Sequence, residues 1–348
     1  MNNPVKALVV DDSKLIRRVL CRVFEESESV KVVGEAGNGK EALEMVHSLN
    51  PDVITLDVNM PVMDGLTALK HIMIKYPRPT VMVSSLTREG AAVTFDALKY
   101  GAIDFIHKPS KVKGKNLEEQ YRDMIKKVTL AAEVEIDSIR LIRSKKSKPA
   151  QNIGRQECKY VFAVGAAEGG YGSLLKIIPY LRQELPVAFI IVIHAGTRYV
   201  DAFARYLDAN SMFNVKRAVD GDAVEAGTCY IAAGTEFISL DSARDGNILH
   251  IVTSGCQNCK GAVNFLMASL ARILKKRSIG LILTGSGNDG INGMQAINRA
   301  GGGTIVQKPE TCLCREMPES IMDKCNVNMV IADNKLADKL NRSFCAAA

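Results

Sequence analysis

At 348 residues the chain is longer than one ordinary domain, so two are expected. Its 47% hydrophobic and 24% charged content is that of a globular protein, and no apolar run reaches the roughly 18–20 residues of a membrane span, so it is not expected to be membrane-embedded. The net charge of +7 is modest and gathers in Arg140, Arg143, Lys145, Lys146 and Lys148, a run without interleaved aromatics. It reads as a solvated linker, and no nucleic-acid partner is expected. Nine cysteines at irregular spacing, and an opening MNNPVKALVV without a signal-peptide layout, lead to an expectation of reduced thiols and a cytoplasmic location.

Residues 5–110 alternate strand and helix patterns. VKALVV reads as a strand running into Asp11 and Asp12. A helix over about 13–27 follows, with Leu15, Ile16, Val19, Leu20 and Val23 on one face and Ser13 as its cap. Val30–Ala36 reads as strand, Gly39–Leu49 as helix and DVITLD as strand, while VMVSS and FIHKP carry the fourth and fifth strand ends. Five such units predict a doubly wound parallel sheet with its functional residues at the carboxyl ends of the strands.

Asp11, Asp12 and Asp57 fall at two of those ends. Like charges that close repel unless a cation lies between them, and hard oxygen ligands select Mg²⁺. Ser84 ends the fourth strand and Lys108 the fifth. A carboxylate flanked by Mg²⁺, a hydroxyl and an ammonium is equipped to accept a phosphoryl group. VVDDSKLIRRVL, TLDVNMPVMDG, VMVSSLT and GAIDFIHKP resemble the response-regulator receiver domain, of flavodoxin-like fold, over essentially all of residues 5–130, within a first domain of residues 1–130. The resemblance implies Asp57 as phosphoacceptor for a histidine kinase. It further implies Mg²⁺ on Asp12, Asp57 and the carbonyl of Asn59, with Asp11 acting through water. Ser84 and Lys108 would read the phosphoryl oxygens, and Phe105 would be the aromatic switch.

Leu117–Ile136 has helical spacing and closes this domain. Residues 131–157 read as a helical extension and a basic linker broken by Pro149.

From residue 158 to 348 the alternation resumes. In KYVFAVGAAEGG an apolar strand meets Gly165, Gly169 and Gly170, a tight corner into a helix whose tip is Ala167. VAFIIVIH is a buried strand ending in His194, TCYIAA and EFISLD read as a hairpin-like pair, and SIGLILTGSGNDG opens into a turn carrying Asp289. Three strand ends therefore deliver Ala167, His194 and Asp289, the layout of nucleophile, general base and orienting carboxylate.

LTGSGNDGINGM and VDGDAVEAGTCYIAAG, with the receiver–linker–α/β order, resemble the chemotaxis protein-glutamate methylesterase/glutamine deamidase family. The family corner reads G-A-S-T-G-G where this chain has GAAEGG, so the resemblance implies a lost serine nucleophile at Ala167 and Glu168 in place of threonine. Other departures are Ala195-Gly196 for Met-Pro, Ser286 for Met, and KGAVN for an R-P-S-V-D element. Ser173 lies too far into the helix to substitute, and Glu168 beside His194 offers an ion pair. The expected function is a chemotaxis signalling protein phosphorylated on Asp57, with a methylesterase-like domain of weak or no activity that binds or regulates. The alternative is an active methylesterase/glutaminase on methyl-accepting chemotaxis receptors. Cys256-x-x-Cys259 and Cys312-x-Cys314 have the spacing of a Cys₄ zinc site, although scattered thiols, Cys314 exposed, are the simpler reading.

Overall fold

The computed structural model describes residues 3–84, 88–109, 117–135, 157–243, 246–253 and 261–345. The basic run around Arg140–Lys148 with Pro149, and both Cys256 and Cys259, lie outside these residues. The chain divides into two compact units, Met1–Arg143 and Ser144–Ala348.

The first unit is a five-stranded sheet of β1 (Val5–Val10), β2 (Val30–Ala36), β3 (Val53–Asp57), β4 (Thr80–Ser84) and β5 (Asp104–His107). All its pairings are parallel, in the order β2-β1-β3-β4-β5. Helices α1 (Lys14–Glu25), α2 (Gly39–Leu49), α3 (Gly65–Lys75), α4 (Arg88–Lys99) and α5 (Leu117–Ala132) connect and close it. Central strands buried on both faces need continuous apolar runs, which is how VITLD and TVMVS read.

Local chemistry sets the helix starts. The Ser13 hydroxyl accepts the Ile16 amide, as expected, and Asn38 and Asp64 cap α2 and α3 in the same way. Gly65 opens α3 because nothing larger fits: a Cβ there would stand 1.9 Å from the Asp57 carbonyl oxygen. The helix α5 stops at Ala132, short of the Ile136 read from the sequence.

The second unit is a seven-stranded sheet in the order β14-β13-β12-β6-β7-β9-β8. Its strands are β6 (Tyr160–Ala166), β7 (Val187–Ile193), β8 (Asn214–Arg217), β9 (Thr228–Ala233), β12 (Ser278–Ile282), β13 (Gly303–Gln307) and β14 (Met329–Ile331). Every pairing in it is parallel. Helices α6 (Gly170–Ile177), α7 (Thr197–Ala209), α8 (Ala262–Leu274), α9 (Ile291–Arg299), α10 (Glu316–Lys324) and α11 (Asp333–Cys345) complete it. Both units are therefore doubly wound parallel α/β sheets, the fold class read from the sequence.

One pairing differs. TCYIAA is β9, a parallel member of the main sheet, whereas EFISLD lies in β10 (Glu236–Ala243), whose antiparallel partner is β11 (Gly246–Thr253). Every residue of β9 is buried, the mark of a central strand, whereas β10 alternates. Their closeness in sequence suggested a hairpin, but burial decided the partners.

Candidate functional site

Each sheet reverses its winding at one place, and the chemistry-bearing side chains gather there. In the first unit the chain steps from β1 to β2 on one side and to β3 on the other. The crevice at their carboxyl ends is the switch point of a doubly wound sheet. There Asp11, Asp12 and Asp57 bring one oxygen each within 4.8 Å of one another, Asp11 and Asp57 buried and Asp12 exposed.

The Lys108 ammonium reaches in from beyond β5, donating to Asp57 Oδ2 at 2.8 Å and lying 2.9 Å from Asp11 Oδ2. Asp11 Oδ1 accepts the Ser13 amide at 2.9 Å. Burial pushes the Asp57 carboxyl up, the Lys108 hydrogen bond pulls it down and the Asp11 charge pushes it up again; the balance lies above the ordinary value. For Lys108, burial works against the charge, but bonds to Asp57 and Asp11 outweigh it and hold the ammonium on.

The other residues singled out in the sequence lie near this crevice. Ser84 at the end of β4 receives a 2.9 Å hydrogen bond from Thr94, a partner the sequence reading missed. Phe105 is buried, edge-on to Phe95 at 5.9 Å, and its carbonyl accepts the Lys127 ammonium. Asn59 is exposed, and its backbone amide helps to pull the Asp57 carboxyl down. The cluster fits a hard divalent cation: three carboxylates converge, two of them buried, with only the Lys108 ammonium, among the described residues, between them to offset their charge.

In the second unit β6 is the switch strand, with β7 on one side and β12 on the other. Ala166 is in register with Ile193, so Ala167 and His194 are the next residues at the same edge, and the His194 amide donates to the Ala166 carbonyl at 2.9 Å. On the other side the Ala167 amide donates to the Thr284 carbonyl at 3.0 Å. The chain turns into α6 through Gly169 at φ +78°. What the corner presents at its tip is a methyl group, 8% exposed.

His194 and Asp289 meet, with Nε2 3.0 Å from Oδ2. The same carboxylate accepts the amides of Val263 and Asn264 at the start of α8, each at 3.0 Å. Burial alone would raise the Asp289 carboxyl, but the His194 bond and the two amides more than offset it and hold it below the usual range. The imidazole is seated against Gly234, where a Cβ would stand 2.3 Å from Nδ1. The Asn264 side chain in turn accepts the Gly293 amide, tying α9 to the same turn.

Three details depart from the sequence reading. Glu168 does not pair with His194; its carboxylate takes the Ser286 amide on Oε2 and the Ser286 hydroxyl on Oε1, both at 2.8 Å. Two donors on one residue, one of them fixed backbone, outcompete a histidine already held by Asp289. Cys314 is buried rather than exposed, and so is Cys312. With Cys256 and Cys259 outside the described residues, the zinc arrangement has only this buried half on view. Ser173 does point elsewhere, into a buried network with Gln307 and Asp333 at 3.1 and 3.2 Å.

A carboxylate-lined crevice of this kind, followed by a second parallel domain with a histidine–aspartate edge, defines a switch domain joined to a hydrolase-type α/β domain. The chain belongs to the CheB methylesterase family, which matches residues 162–340, and a response regulator receiver domain matches residues 7–120. It is 37% identical over 344 residues to the protein-glutamate methylesterase/protein-glutamine glutaminase of Pyrococcus horikoshii, covering 97% of this chain and 93% of the relative. To the Thermotoga maritima protein of that name it is 36% identical over 342 residues, covering 97% of each. The second unit is similar to the crystal structure of the Thermotoga maritima CheB methylesterase catalytic domain. That likeness has a TM-score of 0.50 and 31% identity, over 53% of this chain and 98% of that one. The receiver and methylesterase domains together make the chain a chemotaxis response regulator, and none of the described helices is long and apolar enough to cross a membrane.

Proposed function

We propose that this protein is a phosphorylation switch joined to a methylesterase-fold domain that binds or regulates and no longer cuts efficiently. In the switch, Asp57 takes a phosphoryl group from a histidine kinase of the chemotaxis type. The donor's N–P bond breaks, a bond from an Asp57 carboxylate oxygen to phosphorus forms, and the histidine nitrogen recovers its electron pair. Asp57, held against Lys108 by a 2.8 Å hydrogen bond, is the attacking carboxylate, and Lys108 balances charge on the transferred oxygens. Asp12, Asp57 and the Asn59 carbonyl would hold Mg²⁺, with Asp11 beside them. When bound, Mg²⁺ neutralises charge on the phosphoryl oxygens. Ser84 and Phe105 are assigned to reading the phosphorylated state.

The observation that carries the second half of the reading is the methyl group of Ala167 beside an intact His194–Asp289 pair. A histidine base has no work without a hydroxyl to deprotonate, and removing a serine nucleophile costs on the order of 10⁶ in kcat in the subtilisin example. The resemblance of GAAEGG to the family's serine-bearing corner supports reading Ala167 as a lost nucleophile.

The rival reading is an active methylesterase/glutaminase on chemotaxis receptors. It draws on the names of the relatives and on the preserved His194–Asp289 geometry. Labelling with acetyl phosphate tests the switch: native protein takes up phosphate and Asp57→Asn does not. Equal labelling of the two ends the assignment. Ala167→Ser tests the rest: a gain of methanol release from methylated receptor over native protein supports a lost nucleophile, and equal release by both favours the rival.

A further inference from the structure

Glu168 and Ser286 each depart from the family pattern, and they are 118 residues apart in sequence, yet they are each other's partners. The Ser286 amide stands one residue beyond Gly285, whose backbone lies directly on Ala167. A Cβ at 285 would come within 2.6 Å of the Ala167 Cβ and 2.9 Å of its amide nitrogen. The amide is thus an N–H donor placed by a rigid turn beside the tip of the corner. Gly285 is pinned through both of its backbone groups: its amide donates to the Cys314 carbonyl, and its carbonyl accepts the Met317 amide. A preorganised amide next to the residue where attack would occur is what an acyl-transfer site uses for a developing oxyanion.

Here that donor is already spent. The Glu168 carboxylate fills it, one oxygen on the amide and the other on the Ser286 hydroxyl, both at 2.8 Å. The backbone on the other side of Glu168 is fixed too, since its carbonyl accepts the Thr284 hydroxyl at 2.9 Å. The side chain therefore cannot withdraw by moving the corner. A charged acceptor on two donors is among the stronger hydrogen-bonded arrangements.

We propose that the Ser286 amide and hydroxyl form a carboxylate-binding site occupied by the protein's own Glu168, an internal plug that excludes other carboxylates and oxyanions from the corner. This rests on the reading of the second domain as catalytically silent and deepens it: the domain carries a chemical block at Ala167 and a separate electrostatic block at Glu168. Ser286 supplies a second donor for the plug through its hydroxyl, so the two departures act as one device.

The test uses full-length native protein, Glu168→Thr, Glu168→Gln, Ala167→Ser and the Ala167→Ser/Glu168→Thr double variant. Acetate is the carboxylate probe, read from the Ser286 amide signal in ¹H–¹⁵N correlation spectra. The native signal should not respond saturably to acetate, whereas Glu168→Thr should show a saturable shift centred on Ser286. Glu168→Gln keeps an acceptor oxygen in place and should respond less than Glu168→Thr. In methanol release from methylated receptor, the double variant should exceed Ala167→Ser by about 10²-fold, the scale of one oxyanion donor.

An identical acetate response in native and Glu168→Thr protein, no response in either, or Ala167→Ser cleaving as fast as the double variant would overturn the plug. Native protein cleaving as fast as the double variant would instead overturn the silent-domain reading, and the acetate arm reads the plug independently of it.

Discussion

Replacing Asp289 by alanine is a sharp perturbation because one carboxylate serves three donors. It accepts the Val263 and Asn264 amides at the first turn of α8 and His194 Nε2, each at 3.0 Å. Hydrogen bonds to a charged group contribute about 1.5–3 kcal/mol each when deleted singly. The three share one acceptor and the amides regain water, so the sum is an overestimate. Loss of a helix cap alone costs about 1 kcal/mol. We expect about 3 kcal/mol in all, between those bounds. For a domain of about 150–250 residues this lowers Tm by roughly 6–12 °C.

The pH dependence follows from the direction of the Asp289 shift. Its folded carboxyl lies below its unfolded value, so its stabilisation is fully present above the unfolded pKa of about 3.9 and is lost as pH falls through the folded value. Calorimetry of native and Asp289→Ala protein should show the full gap in the second domain's transition at neutral pH, closing below about pH 4. A gap under about 1 °C at neutral pH, or one that persists unchanged at low pH, would refute a stabilising role for the Asp289 carboxylate.

Other outcomes follow from the same geometry. Asp57→Asn removes a buried charge whose pKa is raised by burial and by Asp11, so it should abolish phosphate labelling while raising the Tm of the first domain. Lys108→Met should slow labelling by roughly 10²-fold and move its acid limb to higher pH, because it removes the bond that pulls the Asp57 carboxyl down. Gly234→Ala should displace the His194 ring and cost about 1–3 kcal/mol, with loss of the ring N–H signal shared with Asp289 as its signature. Gly65→Ala would set a methyl group against the Asp57 carbonyl and should cut labelling as well as stability.

The first domain was largely legible because its candidate site residues sit at strand ends that periodicity locates. Asp11, Asp57, Ser84 and Lys108 all follow short apolar runs, and a parallel sheet aligns such ends. The His194–Asp289 pair was legible for the same reason: two strand ends flank the switch strand β6. What stayed hidden was pairing between residues far apart in sequence. Glu168 was assigned to His194, its neighbour at the edge, when its partner was Ser286, which required the turn after β12 to be folded first. The amides that hold Asp289 carry no side-chain signal at all. Nor did TCYIAA announce that it would leave EFISLD for the main sheet, since adjacent short strands read as a hairpin until burial is known. Cys314 looked exposed beside Arg315 and Glu316, but it is buried and its amide donates to the Thr284 hydroxyl in the interior at 3.0 Å.

The central claim is that a working switch is joined to a corner that no longer cuts. It is tested most directly by methanol release from methylated chemotaxis receptor, using native protein first shown to carry phosphate on Asp57. The account predicts release indistinguishable from a protein-free control, with phosphate bound. Sustained turnover that rises on phosphorylation and disappears in His194→Ala would contradict it.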